Sequence, residues 1–203
     1  MMVTLIVPGL QDDTTHKLLN KGHLRVAFFI WRTKMIYTGI GSRETPEDVL
    51  ASMRFMAKFM AADGHTLRSG GAPGADTAFE QGCDEGAGLK EIYLPRKWFN
   101  RNESPLTEIT IESRKMASKF HPNWPNLGDT GRFFMARNAY QVLGFDLKTP
   151  TEFIICWTPR GKVTGGTGQA LRMAVHYRIP VFNLGSMSLD DVSNEITLIL
   201  DLG

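Results

Sequence analysis

The sequence predicts an α/β protein in three layers, with a Rossmann-like parallel sheet in the middle and helices on both of its faces. From residue 35 onward, short apolar stretches alternate with longer stretches of helical periodicity, as is typical of parallel strands joined by crossover helices. Two glycine-rich turns, at residues 70–74 and 165–168, each follow an apolar strand. A short N-terminal β extension is expected to precede this domain.

The expected domain organisation divides the chain at residue 34. Residues 3–7 and 24–31 have the composition of two strands, and a polar stretch with turn residues separates them. Residues 1–34 would therefore form a hairpin or add edge strands to a sheet. Residues 35–203 would form the Rossmann-like domain.

The first half of this domain is predicted to alternate strands and helices. Residues 36–40 form the first strand, and a helix follows with Thr45 as its N-cap and Pro46 at its first position. Residues 65–69 form the second strand, which the first glycine turn joins to a helix that ends near residue 85. Residues 90–95 form the third strand.

The second half begins with an irregular segment. Residues 96–128 contain one predicted helix, at 108–119, and the next helix runs from residue 129 or 130 to 144. Residues 151–157 are predicted to form a strand, residues 169–177 a helix and residues 179–183 a further strand. Residues 189–200 are predicted to form a closing helix or a helix–strand pair.

Composition and charge are those of one globular domain. The chain has 203 residues, of which 42% are hydrophobic and 22% charged, and this is enough to bury a full core. A formal net charge of only +2 excludes a generally basic surface, so any anion site must be local. The most apolar run, residues 26–31, is too short to span a bilayer, and no membrane partner is expected.

The two cysteines, Cys83 and Cys156, offer neither a disulfide framework nor the spacing of a metal site. Their positions, on a predicted helix and in a predicted strand, indicate a reducing, cytoplasmic setting. We therefore expect no metal and no resident cofactor.

The first glycine turn predicts an anion-binding site. Gly70, Gly71 and Gly74 have no Cβ, so the backbone can take positive φ and lie close to a ligand. A helix that begins after such a turn points free N–H groups and the positive end of its dipole at a phosphate or carboxylate. The spacing matches neither the dinucleotide nor the P-loop fingerprint, so the ligand itself stays open.

Three loops are expected to meet at one edge of the sheet, where the carboxyl ends of parallel strands lie together. These loops are residues 41–43, 70–74 and 165–168. Arg43 and Arg137 are the cations expected to pair with a phosphate. Three hydroxyl groups could add donors: those of Ser42, Thr164 and Thr167.

The order of these motifs resembles the SLOG superfamily of Rossmann-like domains, and within it the DNA-processing protein A (DprA) branch. The resemblance covers about residues 36–185, and the motifs that carry it are residues 41–43, 69–78, 134–138, 165–170 and 180–185. It implies a pocket for phosphate-bearing ligands. In DprA that ligand is single-stranded DNA, which the protein covers and hands to a recombinase.

The resemblance implies a nucleotide or single-stranded DNA as the partner, a role in DNA processing or recombination, and a homo-oligomer. The departures are the absence of an added DNA-binding domain and of counterparts for residues 1–34 and 96–128. Together, the glycine turns and the motifs predict the ligand-binding set Gly41, Ser42, Arg43, Gly70, Gly71, Gly74, Asp76, Arg137, Asn138, Thr164, Gly165, Gly166 and Thr167.

Two alternatives stay open. The turn at residues 164–172 is also similar to that of the Lonely Guy phosphoribohydrolases, which cleave the N-glycosidic bond of nucleoside monophosphates. The carboxylate expected there is missing, so an enzyme would have to use Asp76 or Glu80 as the negative group. Asp76 is alternatively a helix cap. The other possibility is a sensor or sponge for a nucleotide-derived signal.

The segment from Lys90 to Arg137 is locally basic and rich in aromatic residues. It contains nine basic residues against five acidic ones, together with two tryptophans and four phenylalanines. Cations interleaved with aromatic side chains are typical of surfaces that bind single strands. Most of these aromatic residues are alternatively expected in the core.

Overall fold

The computed structural model describes residues 34–202. These residues belong to the second of two units, Met1–Trp31 and Arg32–Gly203, into which the chain divides. The strands predicted at 3–7 and 24–31, and with them the N-terminal extension, lie outside the described residues and stay predictions. No helix in the described part is long and apolar enough to cross a membrane.

The described residues form one five-stranded parallel sheet. Its strands are β1 Ile36–Gly41, β2 Thr66–Ser69, β3 Leu89–Ile92, β4 Phe153–Trp157 and β5 Val181–Asn183. The strands lie in the order β3-β2-β1-β4-β5, which is the order of a doubly wound Rossmann-like sheet. The predicted α/β fold class is confirmed.

Six helices connect and cover these strands in the described part: α1 Glu47–Ala62, α2 Ala75–Glu85, α3 Ile111–Ser118, α4 Asp129–Leu143, α5 Gly165–Tyr177 and α6 Leu189–Leu202. Three short 3-10 helices lie at Phe99–Arg101, Trp124–Asn126 and Pro159–Gly161. The closing segment is therefore a helix, and the alternative of a helix–strand pair is excluded.

The side chains of β4 show why the domain has three layers. Phe153 and Ile155 point to a core shared with α1, α2 and α6, whereas Ile154 and Cys156 point to a core shared with α4 and α5. Because successive side chains in a strand face opposite sides, both faces of this apolar strand are buried. The prediction of helices on both faces is confirmed.

Two predicted helix starts differ from the structure. Helix α1 begins at Glu47 with Pro46 as its N-cap, and the Thr45 hydroxyl instead donates a hydrogen bond to the carbonyl of Ser42 at 2.8 Å. Helix α5 begins at Gly165, four residues before the predicted start at Gln169. Glycine has a low helix propensity, so the pattern of residues 165–168 predicts a turn where the chain is already helical.

Gly82 allows α1 and α2 to pack closely, because a Cβ at this position would lie 2.1 Å from the backbone oxygen of Arg54. Alanine normally favours a helix interior over glycine by about 1 kcal/mol, but here the obstructing atom is backbone and cannot rotate away. We expect Gly82→Ala to lower the free energy of unfolding by about 3 kcal/mol, measured by urea denaturation.

The matched control is Gly128→Ala, where the added Cβ has no atom within 4 Å. Its effect should stay below about 1 kcal/mol, the cost of losing a favourable N-cap residue. Equal stability of the two variants would contradict the close approach of α1 and α2.

Candidate functional site

A pocket of about 390 Å³ lies beyond the carboxyl ends of β1 and β4. This is the point at which the strand order reverses, and doubly wound sheets bind ligands there. The pocket is lined by the loop after β1, the loop after β4, the first turn of α5 and one face of α4. Ten of the thirteen predicted binding residues line it: Gly41, Ser42, Arg43, Asp76, Arg137, Asn138, Thr164, Gly165, Gly166 and Thr167.

Ser42 ties the loop after β1 to its neighbours. Its N–H donates to the carbonyl of Trp157 at the end of β4, at 3.1 Å, and its own carbonyl accepts from the N–H of Ala75 at the start of α2, at 3.4 Å. The tips of β1 and β4 and the first turn of α2 therefore meet, as the sequence predicts.

The first turn of α5 lines the pocket and contains backbone N–H groups that have no acceptor within the helix. The first intrahelical donor is Gly168, whose N–H bonds to the carbonyl of Thr164 at 3.0 Å. The N–H groups of Gly165, Gly166 and Thr167 precede it, so the helix itself offers them no acceptor. No acidic side chain lies in this turn, and the helix dipole adds partial positive charge. This terminus can therefore accept an anion.

Asn138 fixes the position of this terminus against α4. Its side-chain Nδ2 donates to the carbonyl of Gly166 at 3.0 Å. Gly165 has a φ of +65°, a conformation that favours glycine. The residues predicted to contact the ligand therefore also set the direction of the α5 N–H groups.

Arg137 and Asp76 form a buried ion pair at the pocket wall. The Arg137 Nη1 lies 3.2 Å from Asp76 Oδ2, and the two residues are only 5% and 3% exposed. Burial raises the pKa of Asp76, and the charge of Arg137 opposes this. Burial likewise lowers the pKa of Arg137, and Asp76 opposes that shift. Each charge therefore depends on the other.

The Nε of Arg137 is buried and has no hydrogen-bond partner among residues 34–202. Buried donors are nearly always satisfied in native proteins, by protein, water or ligand. Arg137 lines the pocket, but its Nε itself is enclosed by protein atoms. The guanidinium therefore has the carboxylate of Asp76 as its charged partner, and its Nε is left as an unused donor.

The amide of Gly70 is used inside the protein, in contrast to the prediction that it faces a ligand. With the Gln141 amide oriented so that its oxygen faces these donors, the N–H of Gly70 donates to Gln141 Oε1 at 2.9 Å, and the same oxygen accepts from Arg137 Nη1 at 3.0 Å. A Cβ at Gly70 would lie 1.1 Å from that Nη1. Gly70 is thus required because the guanidinium of Arg137 packs directly on the backbone.

Gly71 and Gly74 also face protein atoms rather than the pocket. Their φ angles are +63° and +83°. A Cβ would lie 2.7 Å from Leu94 Cδ2 at Gly71 and 2.7 Å from the carbonyl of Ser42 at Gly74. The first glycine turn therefore builds the wall of the site, and the second glycine turn supplies the free N–H groups.

Arg43 is the exposed cation of the site. Its guanidinium lies 5.7 Å from the ring centroid of Phe134, which lines the same pocket. The described residues provide Arg43 with no ion-pair partner. It is therefore free to pair with an anion, whereas Arg137 shares its charge with Asp76.

The two predicted catalytic carboxylates do not lie together. Glu80 is in a separate hollow, where it accepts from Lys90 Nζ at 3.0 Å and from Asn102 Nδ2 at 2.6 Å. Asp76 lines the pocket, but as the partner of Arg137. It is not a conventional cap, because the N-cap of α2 is Gly74 and Asp76 Oδ2 accepts from the N–H of Ala72 at 3.4 Å.

Sequence reasoning missed three polar residues that line the pocket: Glu44, Gln141 and Thr158. Gln141 lies one helical turn after Arg137, so the periodicity of α4 could have indicated it. Thr158 directly follows β4 and lies at the same sheet edge. The described part of the chain contains no cluster of side chains suited to a metal ion.

Fold and pocket together define a Rossmann-like α/β protein whose pocket, at the topological switch point, combines apolar, polar and charged side chains. No family model and no curated protein matches the chain. Among solved structures, the chain is similar to DNA processing protein A from Helicobacter pylori, studied for its single-stranded DNA binding mode. The identity is 20% and the TM-score 0.48, over 74% of this chain and 65% of that one.

The chain is also similar to the molybdenum cofactor carrier protein of Chlamydomonas reinhardtii. One structure of it has 18% identity and a TM-score of 0.47, over 82% of this chain and 84% of that one. A second has 16% identity and a TM-score of 0.45, over 83% and 88%. The neighbours thus include the DprA protein that the motifs resemble, and these likenesses concern the fold alone.

Proposed function

We propose that the pocket binds the phosphate of a nucleotide or of single-stranded DNA, and that the protein is a DprA-like binding protein acting in DNA processing or recombination. The observation that carries the proposal is the first turn of α5, whose unpaired N–H groups line the same pocket as the free cation Arg43. Helix N-termini with a nearby arginine are well suited to phosphate.

The rest of the pocket suits a nucleotide. A volume of about 390 Å³ is within the usual range for small-molecule sites. The ring of Phe134 offers a surface on which a base could stack. Asn138 and the hydroxyl groups of Ser42 and Thr167 supply polar contacts of the kind a sugar or phosphate requires.

The loop at residues 96–101 favours a strand over a single nucleotide. It carries three exposed cations and the indole of Trp98, which is 65% exposed; the cations are Arg96, Lys97 and Arg101. Trp98 has a φ of +60°, an uncommon conformation for a bulky residue. The loop is anchored beside the pocket, because the ring of Phe99 packs edge-on against Phe134 with centroids 5.3 Å apart.

We expect Arg43→Ala to weaken binding of a fluorescein-labelled oligothymidylate by about tenfold, the value of one charged hydrogen bond. The slope of log affinity against log salt concentration should fall by about 0.7, the value for one phosphate contact on a single strand. Fluorescence anisotropy at several salt concentrations measures both effects.

The matched control is Arg178→Ala. Arg178 is exposed at the C-cap of α5, and the chain enters β5 just after it, so it lies at the opposite edge of the sheet. This variant should bind like the wild type. Equal affinities of the Arg43 and Arg178 variants, with both folded by circular dichroism, would contradict the proposed role of Arg43.

An N-glycosidic hydrolase is the second candidate, because the carboxylates of Asp76 and Glu44 line the pocket. Such an enzyme would release free base from nucleoside monophosphates, which chromatography detects directly. A sensor or sponge would instead retain an intact nucleotide through purification, and mass spectrometry after heat release would identify it.

A further inference from the structure

A groove separate from the ligand pocket lies between α3, the segment Trp124–Asn126 and the first turn of α4. Its volume is about 240 Å³, and it is lined by three cations, two large apolar side chains and one hydroxyl group: Arg114, Lys115, Arg132, Ile111, Trp124 and Ser118. No carboxylate lines it. Because this volume is below the usual range for small-molecule sites, the groove suits one part of a larger anionic ligand.

The positive charge of this groove is only partly neutralised within residues 34–202. One carboxylate oxygen, Asp129 Oδ1, lies 3.6 Å from Arg114 Nη2 and 3.9 Å from Arg132 Nη1. Both distances exceed those of hydrogen bonds, and the Asp129 side chain is 79% exposed. Lys115 is exposed and forms no ion pair with a described residue. One loosely held carboxylate therefore faces three cations.

Aromatic rings hold the two guanidinium groups in position. That of Arg114 lies 4.7 Å from the ring centroid of Phe133. That of Arg132 lies 5.8 Å from the ring of Trp124 and donates from Nη2 to the carbonyl of Pro125 at 3.2 Å. Both arginine side chains are still about one-third exposed. Arginines fixed in this way lose little side-chain freedom when they bind a phosphate.

The groove and the ligand pocket lie on opposite sides of α4. Arg132 lines the groove, and Phe134 lines the pocket. Residues two positions apart on a helix point about 200° apart. The two sites are therefore separated by one helix diameter, about 10 Å. The phosphate of a single nucleotide at the first turn of α5 does not reach the groove, whereas a strand that passes over the start of α4 reaches both sites.

We propose that this groove is a second binding site for single-stranded nucleic acid, in which Arg114, Lys115 and Arg132 hold a backbone phosphate of a strand whose other phosphate lies at the first turn of α5. The inference rests on the proposed function and narrows its ligand from a nucleotide to an oligonucleotide. Cations combined with aromatic rings favour a nucleic-acid strand over an acidic peptide. Five of the six lining residues lie within residues 96–128, which the motifs that resemble DprA do not cover.

The double variant Arg114→Ala with Lys115→Ala tests the proposal. Its affinity for a fluorescein-labelled oligothymidylate of about ten nucleotides should fall about tenfold. The slope of log affinity against log salt concentration should fall by about 0.7, because one phosphate contact on a single strand is lost. Fluorescence anisotropy measures both. Lys115→Glu is a second variant, which alters only an exposed side chain, and it should weaken binding in the same direction.

The matched control is the double variant Lys148→Ala with Arg178→Ala, which removes the same two charges. Both residues are exposed, and they precede β4 and β5, so they lie at the opposite edge of the sheet. This control should bind like the wild type. Equal weakening by the control would indicate an effect of net charge alone and would overturn the proposal. Displacement of the oligonucleotide by polyglutamate of equal charge would identify an acidic-peptide site and would also overturn it.

Thymidine 5′-monophosphate separates this inference from the proposed function. It should bind to the Arg114 and Lys115 double variant as it does to the wild type, because these residues do not line the pocket. The indole N–H resonance of Trp124 should shift with the oligonucleotide and not with the mononucleotide. If the mononucleotide binds at α5 but the double variant keeps wild-type oligonucleotide affinity, or Trp124 does not shift, this inference alone is wrong. If the mononucleotide does not bind but the double variant weakens oligonucleotide binding, the groove is supported and the α5 site is wrong.

Discussion

Gly70→Ala is expected to destabilise the fold by about 3 to 5 kcal/mol and to abolish ligand binding. The new methyl group would occupy the position of the Arg137 guanidinium, 1.1 Å from Nη1 and 2.3 Å from Cζ. Arg137 would have to leave Asp76 and Gln141, and a buried carboxylate would remain without its counter-charge. Urea denaturation measures the stability, and anisotropy with a labelled oligonucleotide measures the binding.

Gly166→Ala is the matched control for Gly70→Ala. Its added Cβ would make only an ordinary contact, 3.5 Å from Met135 Cε. Since Gly166 lies within the first turn of α5, alanine should leave the free energy of unfolding unchanged or slightly higher. Wild-type stability in the Gly70 variant would contradict the position of Arg137.

Arg137→Met is expected to lower the free energy of unfolding by about 3 to 5 kcal/mol at neutral pH, because it leaves Asp76 buried and unpaired. The loss should be smaller at pH 5 than at pH 8. Burial raises the pKa of Asp76, and the variant lacks the cation that opposes this. The native state then holds a proton that the unfolded state has released, so stability falls as pH rises above about 4.

The double variant Asp76→Asn with Arg137→Met separates the charge effect from packing. Removing both charges should recover part of the stability and should abolish most of the pH dependence that Arg137→Met introduces. A single Arg137→Met variant as stable as the wild type at pH 8 would contradict the ion pair. The sequence alone assigns Arg137 only a ligand-binding role, and its burial against Asp76 is the reason to expect a loss of stability as well.

The fold could be predicted because its signals are local. The apolar strands alternate with amphipathic helices along the chain, and β4, buried on both faces, is an uninterrupted apolar run. The position of the pocket follows from the same pattern, since loops after parallel strands share one edge. Both inferences need only the order of the elements.

The roles of the individual residues could not be predicted, because they depend on contacts distant in sequence. Gly70 precedes Arg137 and Gln141 by 67 and 71 positions, yet these side chains occupy the space above it and take its N–H group. A glycine turn that packs on an arginine and one that binds a phosphate have similar sequences. Only the packing distinguishes the first turn from the second.

The most direct test of the central claim is a titration of the ¹⁵N-labelled chain followed by amide chemical shifts, with thymidine 5′-monophosphate and with thymidine compared at equal ionic strength. If the first turn of α5 holds the phosphate, the amides of Gly165, Gly166 and Thr167 should shift saturably with the nucleotide and not with the nucleoside. Equal shifts with both, or shifts confined to residues outside the pocket, would contradict the claim.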